Sequence, residues 1–177
     1  MEQIEAEGRV ISIGYGKATA VRLLTKADGL NFSISEARGS KAGASTLWYK
    51  NHWEANYVRS GMATLEDCNS GQRWPLEPGV LYCVGPLDKH RIIREVDCDM
   101  RMISVFSPPI IGQETHDEDH AYPASGDLPP RQGRMTVTTL EDVRKAGLEV
   151  SVNGGRAISQ RYLTVADQLG FSLHSVK

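Results

Sequence analysis

The feature that most constrains the fold is a series of short β-prone runs separated by turn residues. Runs rich in Val, Ile, Tyr, Phe and Trp alternate with Gly, Pro, Asn and Asp at close intervals over residues 10–106. This pattern is typical of an all-β sandwich or barrel, because each strand is short and each turn needs residues that tolerate tight backbone geometry. We predict little helix in this region and strands at residues 10–13, 21–25, 30–34, 45–49, 54–59, 62–66, 72–75, 80–84, 90–95 and 100–106.

A change in composition after Phe106 divides the chain. The following residues are rich in Pro, Gly and acidic side chains, which predicts an irregular strap and then a linker. We therefore assign residues 1–123 to a barrel, 124–134 to the linker and 135–177 to a C-terminal segment.

One short helix is predicted in the C-terminal segment, at residues 138–147. Thr138 or Thr139 is its N-cap, acidic side chains occupy its first turn, and Gly147 ends it. Two strand-like runs follow and complete the chain.

The C-terminal segment resembles the beginning of the chain. When the sequence is shifted without a gap, residues 12–33 align with residues 151–172 and Arg22 falls on Arg161. Chance alignment of short β-rich runs is one explanation, but a single offset over a strand-turn-strand unit favours a duplication. A unit this short cannot bury a core alone, so we expect it to pack on the barrel as duplicated edge strands or on a partner subunit.

Composition bounds the partners and the compartment. Lys and Arg number 20 against 22 Asp and Glu, with no basic cluster, so a nucleic-acid partner is not expected. The acidic start of the chain is unlike a signal peptide, and no segment is apolar enough to span a bilayer. We expect a cytoplasmic protein without a membrane partner that acts on a small molecule. Cys68, Cys83 and Cys98 form no CxxC pair, so we expect reduced thiols, with Cys83 in the barrel wall.

Two partial motifs point to a site inside the barrel. Glu54 and Gly61 have the spacing of the second half of the first cupin motif, a carboxylate on one strand and a glycine at the next turn. Leu47 and Tyr49 stand where that motif usually has two histidines. Downstream, a glycine, a proline and then His90 resemble the second cupin motif. The chain therefore resembles a cupin-type β-barrel or jelly roll.

Three side chains are candidate metal ligands. Alternate residues of a barrel strand face inward, so Glu54, Tyr82 and His90 can converge although they are distant in sequence. A carboxylate, a phenol and an imidazole suit Fe(2+) and would also accept Zn(2+) or Mn(2+). Singly, each has an ordinary alternative: a solvated strand residue, a core aromatic and a turn histidine. Only the motif spacing favours the metal site.

Four segments resemble the ectoine synthase family of the cupin superfamily. They are RLLTKADGLNFSIS, YKNHWEANYV, PLEPGVLYCVGPLDKH and VFSPPIIGQETHDEDHAYP, and the resemblance covers roughly residues 17–123. It implies a homodimeric lyase that cyclises N4-acetyl-L-2,4-diaminobutyrate with loss of water. It also implies an iron site at Glu54, Tyr82 and His90, and the C-terminal segment resembles the start of the same family.

The resemblance assigns roles to further side chains. It places Glu114 and His116 at the mouth of the site as catalytic groups, together with Tyr49, which also lines the pocket. Substrate-binding positions fall on Arg22, Tyr49, Phe106 and Ser104. The ordinary alternatives are a solvated acidic loop, core packing for the aromatics and an exposed ion pair for the arginine.

The chain departs from the family around the substrate. Ala18 stands where the family has a tryptophan, Ala37 where it has a threonine and Ser104 where it has a cysteine, and Ala157 does not restore the tryptophan in the second copy. The metal ligands are kept while the substrate contacts are altered. Two alternatives therefore remain: a cupin enzyme with a different reaction on a related substrate, and a non-catalytic cupin that binds a small ligand.

Overall fold

The computed structural model describes residues 2–14, 16–124 and 135–177 of the chain, and β-strands dominate them. The predicted all-β class is confirmed. Apart from Ala124, the predicted linker 124–134 lies outside the described residues. The strands are β1 (Val10–Ile13), β2 (Ala18–Leu24), β3 (Ser33–Gly39), β4 (Gly43–Tyr49), β5 (Trp53–Ser60), β6 (Ala63–Asp67), β7 (Arg73–Leu76), β8 (Leu81–Val84), β9 (His90–Arg94), β10 (Met100–Ser107), β11 (Ala121–Tyr122), β12 (Thr136–Thr138), β13 (Glu149–Val152), β14 (Ala157–Leu163) and β15 (Leu173–Val176).

Two short α-helices occur in the described ranges, α1 (Glu2–Ala6) and α2 (Leu140–Lys145). The predicted helix is α2: the Thr139 hydroxyl accepts from the backbone N–H of Asp142 as an N-cap. The sequence did not predict α1, because five residues contain too little periodicity to distinguish a helix.

The predicted strand at 30–34 is wrong in position. A 3₁₀ turn at Lys26–Asp28 and Gly29 in the left-handed conformation extend the connection after β2. The next strand therefore begins at Ser33 and continues to Gly39, so that the charged residues Glu36 and Arg38 also belong to the sheet.

Two sheets build the barrel. One has the order β1-β2-β3-β10-β5-β8-β12 and the other has the order β11-β4-β9-β6-β7. Side chains from both sheets share one core. The first sheet contributes Val58 and Met100 and the second contributes Leu65 and Ile92, all of them buried. Part of this core, including Ile92 and Met100, also faces the cavity between the two sheets.

The third sheet has the order β13-β14-β15 and has the same pairing register as the start of the chain. Val10 pairs with Val21 in the first copy, and Glu149 pairs with Gln160 in the second, which is the same pair 139 residues later (149 − 10 and 160 − 21). The bulge before Leu24 also has its counterpart, before Leu163. A common origin by duplication stays a prediction.

The C-terminal segment packs on the barrel of its own chain. Ala55 and Leu81, on the outer faces of β5 and β8, are buried against Val143 and Leu169 of this segment. The Tyr162 hydroxyl donates to the backbone carbonyl of Gly79 at 2.8 Å. Strand β12 pairs with β8, so the segment is joined to the barrel by sheet hydrogen bonds as well as by packing.

Over the described part of the chain, no helix combines the length and the apolar character that crossing a membrane requires.

Candidate active site

A single cavity between the two sheets holds most of the predicted site residues. It encloses about 680 Å³ of empty space, including its opening to solvent. Its walls are formed by Ile13, Gly14, Ala18, Ala20, Arg22, Ser35, Ala37, Arg38, Gly39, Ser45, Leu47, Tyr49, Glu54, Asn56, Tyr82, Ile92, Arg94, Met100, Met102, Ser104, Phe106, His116 and Tyr122.

Strand register aligns five polar side chains across the cavity floor. Residues directly opposite on paired strands point to the same face of a sheet. Arg22 pairs with Ser35, Ser35 with Ser104, Ser104 with Asn56, and Asn56 with Tyr82. All five are buried. We call this set the polar row.

The predicted metal ligands all point into the interior. Glu54 lies next to the polar row on β5, Tyr82 belongs to it, and His90 lies on β9 of the opposite sheet. Their exposed fractions are 6%, 1% and 0%. The rings of Tyr82 and His90 lie 6.1 Å apart between centroids. All three side chains are thus buried in the barrel, Glu54 and Tyr82 on the cavity wall and His90 behind it, next to Tyr82.

Two atoms of this trio have an unmet bonding capacity. Glu54 Oε2 and His90 Nε2 are buried and have no hydrogen-bond partner among the described residues. His90 Nδ1 lies 3.0 Å from the carbonyl oxygen of Asp88, which can only accept, so Nδ1 carries the proton and Nε2 offers its lone pair. This second contact is typical of metal-binding histidines.

Burial changes the acid–base behaviour of all three groups. It raises the pKa of Glu54 to about 7, with Asn56, Tyr49 and Arg22 opposing the rise. It raises the pKa of Tyr82 well above its usual value and lowers the pKa of His90 to about 4. Burial thus favours the uncharged form of each group. A bound cation would instead favour the ionised carboxyl and phenol groups, since it stabilises the carboxylate and the phenolate.

The residues fit a metal through mixed donors. No group of three or more His, Cys, Asp or Glu side chains in the described ranges is arranged to hold a metal ion. The Tyr82 phenol is needed as the third donor beside Glu54 and His90. This donor set suits iron(II), zinc or manganese.

The family comparison identifies the family to which the chain belongs. The family model described as "Ectoine synthase" matches residues 1–126, which include every residue of the cavity wall. The chain belongs to the ectoine synthase family.

Two curated relatives named L-ectoine synthase show how far the family likeness extends. The one from Desulfosudis oleivorans is 43% identical over 104 residues, 59% of this chain and 80% of the relative. The one from Hyphomonas neptunium is 35% identical over 127 residues, 72% of this chain and 92% of the relative. Both likenesses leave more than a quarter of this chain unmatched.

Solved structures support the same fold. An ectoine synthase from P. lautus is 32% identical with a TM-score of 0.55, covering 63% of this chain and 77% of that chain. A putative glyoxylate-induced protein from Pseudomonas aeruginosa is 15% identical with a TM-score of 0.57, covering 85% of this chain and 51% of that chain. The second likeness concerns the fold alone.

Arg22, which resembles a substrate-binding position of the family, is fully buried and lines the cavity. Its guanidinium donates to the Ser35 hydroxyl at 3.1 Å, the Tyr122 hydroxyl at 3.0 Å and the carbonyls of Gly112 and Glu114 at 3.3 and 3.1 Å. These partners are neutral, and within the described ranges Arg22 has no ion pair with an acid. The alternative of an exposed ion pair is thus wrong.

Aromatic side chains form a cluster on the cavity wall beside His90. The rings of Tyr49 and Phe106 meet edge to face at 5.4 Å, and Phe106 stacks on Tyr122 at 5.8 Å. Tyr49 lies 6.1 Å from the His90 ring. The Ser104 hydroxyl donates to the side-chain amide oxygen Oδ1 of Asn56 within the polar row. The structure therefore places Tyr49, Phe106 and Ser104 on the cavity wall, as the family resemblance implied.

The two predicted mouth residues have different surroundings. His116 lines the cavity 4.4 Å from the Tyr122 ring, and neither ring nitrogen has a partner in the described part of the chain. Burial, then the nearby His90 and Arg22, lowers its pKa to about 3. Glu114 is not on the cavity wall, because its two carboxylate oxygens accept from the backbone N–H groups of Ile111 and Gly112.

Sequence reasoning missed several cavity residues. Asn56 was detectable, because it follows Glu54 by two positions on one strand and so shares its face. Tyr122 gave no signal, since it lies in the Pro-rich strap, yet its two-residue strand β11 joins the second sheet. Arg94 was assigned only to a strand.

Proposed function

We propose that this protein is an ectoine synthase-like lyase. It cyclises N4-acetyl-L-2,4-diaminobutyrate, or a related N-acylated diamino acid, with loss of water. The single observation that carries the proposal is the family match over residues 1–126, which covers the entire cavity wall. Relatives in this family are named L-ectoine synthase.

The reaction balances within one substrate molecule. The α-amine nitrogen attacks the amide carbonyl carbon, a carbon–nitrogen bond forms and the carbon–oxygen bond breaks. Both amine protons leave with the oxygen as water. The site must therefore hold the chain folded, stabilise charge on the amide oxygen and accept a proton from the amine.

Arg22 is proposed to bind the substrate carboxylate. Its guanidinium is buried and bonded to neutral groups, so an incoming carboxylate would supply the missing negative charge. Phe106 and Ser104 would line the same part of the pocket. This contact places the substrate above the polar row and next to Glu54.

His116 and Tyr49 are proposed to handle protons. The His116 imidazole is neutral at physiological pH because its pKa is lowered to about 3, and both of its nitrogens are unpartnered in the described structure. It can accept a hydrogen bond from the amine. Burial, then the nearby Glu54, raises the pKa of Tyr49 well above its usual value, so its hydroxyl is a proton donor. Glu114 is proposed to support this site by ordering the loop at Gly112.

Glu54, Tyr82 and His90 are proposed to hold Fe(2+), with Zn(2+) or Mn(2+) as substitutes. The cation would supply a Lewis acid that polarises the amide carbonyl. The two unpartnered atoms, Glu54 Oε2 and His90 Nε2, support this assignment.

Mass spectrometry of the metal-loaded protein with N4-acetyl-L-2,4-diaminobutyrate tests the proposal. We expect a product lighter by one water, and we expect Arg22→Met to weaken substrate binding strongly while Arg101→Met, on the exposed outer side, leaves it unchanged. Stoichiometric binding without any product would instead indicate a ligand-binding cupin.

Two expectations remain: the oligomeric state, which rests on the family resemblance, and the compartment, which rests on the acidic start of the chain. We propose a homodimer located in the cytoplasm. Light scattering on the purified protein measures the oligomeric state, and cell fractionation measures the location.

A further inference from the structure

We propose that the substrate carries a second anionic group, which Arg94 binds. Its acyl group then derives from a dicarboxylic acid such as succinate or glutarate instead of acetate. This inference rests on the proposed function, since it names the substrate of the same cavity.

Arg94 is a buried cation that pairs with no acid in the described part of the chain. It lies on β9, lines the cavity and is 6% exposed. Its Nε donates to the carbonyl of Lys41 at 2.7 Å and its Nη2 to the carbonyl of Lys17 at 3.4 Å. In the described ranges Arg94 forms no salt bridge with a carboxylate, and these hydrogen bonds from Nε and Nη2 go to neutral carbonyl groups.

Other arginines near this site do have acidic partners. Arg38, also on the cavity wall, pairs with the buried Glu36. Arg91, the third residue before Arg94, pairs with Glu66 at 3.0 Å. A buried guanidinium costs free energy unless a negative charge compensates it. Arg94 therefore resembles Arg22, and differs from Arg38 and Arg91, in a way that an anionic ligand would correct.

Arg22 and Arg94 mark opposite ends of the cavity. Arg94 Nη1 lies 3.0 Å from where a Cβ would stand on Gly39, and Gly39 pairs with Ala18. Ala18 precedes Arg22 by four residues on β2, which corresponds to about 13 Å along an extended strand. An N-acetylated diamino acid has one carboxylate, so it can satisfy one of these ends only.

The wall between the two arginines suits a methylene chain. Past the polar row, the register places Ala20 beside Ala37 and Ala37 beside Met102, followed by Ala18 beside Gly39. These side chains are small or apolar, and they line the cavity. The alanines leave room for an acyl chain longer than acetyl that ends in a carboxylate at Arg94.

The chemistry of ring closure is unchanged for such a substrate. The α-amine attacks the carbonyl of the succinyl or glutaryl amide, the carbon–oxygen bond breaks and one water leaves. The terminal carboxylate takes no part in the bonds that form and break. It contributes binding and orientation.

Calorimetric titration with matched acyl groups tests the inference. N4-succinyl-2,4-diaminobutyrate and N4-glutaryl-2,4-diaminobutyrate are compared with N4-butyryl-2,4-diaminobutyrate, which has similar length and no terminal charge. We expect at least one dicarboxylic derivative to bind about tenfold or more tightly than the butyryl one, as a charged hydrogen-bonded pair provides. Equal binding of the charged and uncharged derivatives overturns the inference.

Variants test whether Arg94 is the residue that binds the charged acyl group. Arg94→Met should abolish the preference for the charged acyl group, whereas Arg91→Met, on the same strand with a half-exposed side chain, should keep it. Ala18→Trp should exclude the longer acyl groups while acetyl still binds, and this holds even if Arg94→Met fails to fold. Preference retained in Arg94→Met, or long acyl groups accepted by Ala18→Trp, would refute the assignment.

Turnover separates this inference from the function on which it rests. If the acetyl derivative loses water but the dicarboxylic derivatives bind no better than butyryl, the second anionic site is wrong and the lyase stands. If a dicarboxylic derivative binds tightly through Arg94 and no derivative loses water, the anionic site stands and the lyase is wrong.

Discussion

The Glu54 carboxyl group has a pKa of about 7 because the barrel removes it from water. Its Oε2 has no partner among the described residues, and the same holds for Nε2 of His90. Both atoms would be satisfied by one cation. At the scale of single residues, two buried atoms without hydrogen-bond partners thus define the candidate metal site.

Replacing a proposed ligand should remove the metal. We expect Glu54→Gln and His90→Ala to lose most of the iron that the purified protein binds, because only two of the three donors remain in each. Elemental analysis by mass spectrometry measures this. Glu66→Gln, whose side chain pairs with surface arginines, is the control. Full metal content in both ligand variants would contradict the assignment.

His116 should make the metal-free protein sensitive to mild acid. Its pKa is about 3 when folded and near 6.5 when unfolded, so below pH 6.5 the unfolded chain takes up a proton that the folded chain refuses. Stability is therefore lost as the pH falls, and His116 accounts for about 2 kcal/mol of the loss between pH 6.5 and 5. Urea unfolding at the two pH values measures it. The loss should shrink by this amount in His116→Leu but not in His174→Leu, which changes a histidine in the C-terminal segment.

Sequence reasoning found the residues that motif spacing defines. Glu54 and His90 follow from partial motifs, and the alternation of strand residues directs them inward. Tyr122 and Arg94 escaped because their places depend on contacts between distant segments, and no local pattern encodes these. Glu114 was assigned to the mouth by resemblance, but its local turn takes both carboxylate oxygens.

Strands β5 and β8 are packed on both faces. Their inward side chains form part of the cavity, and their outward side chains, Ala55, Leu81 and Cys83, are buried under the C-terminal segment. The expected place of Cys83 in the wall agrees with this burial. The sequence predicted that the C-terminal segment packs on the barrel or on a partner subunit. It did not distinguish the two, since an apolar face does not specify the surface that covers it.

The contact of Tyr162 with the barrel should stabilise the fold. Its ring meets that of Tyr57 at 5.3 Å and its hydroxyl bonds to Gly79. Tyr162→Asp would bury a charge and lose this packing, so we expect a loss of about 3 kcal/mol in the free energy of unfolding. Chemical denaturation measures the change. Val165→Asp, at a position that is 91% exposed, should have little effect, and similar losses in both would contradict the docking.

At the scale of the molecule, a metal ion bound between the two barrel sheets should stabilise the whole fold. An ion that binds only the folded chain would stabilise all of it, because the proposed ligands come from both sheets. We expect added Fe(2+) or Zn(2+) to raise the melting temperature of chelator-treated protein. Glu54→Gln should show no such rise. An unchanged melting temperature in the unmodified protein would argue against a site shared by the sheets.

The C-terminal segment behind β5 and β8 has a consequence for hydrogen exchange. The backbone amides around Glu54 and Tyr82 lie in the middle of a layered structure, so solvent reaches them only when the segment lifts away or the whole barrel opens. These amides should be among the slowest to take up deuterium. The outer face of the sheet behind the cavity is thus shielded from solvent by the C-terminal segment, whose strands β13 and β14 pair in the same register as β1 and β2.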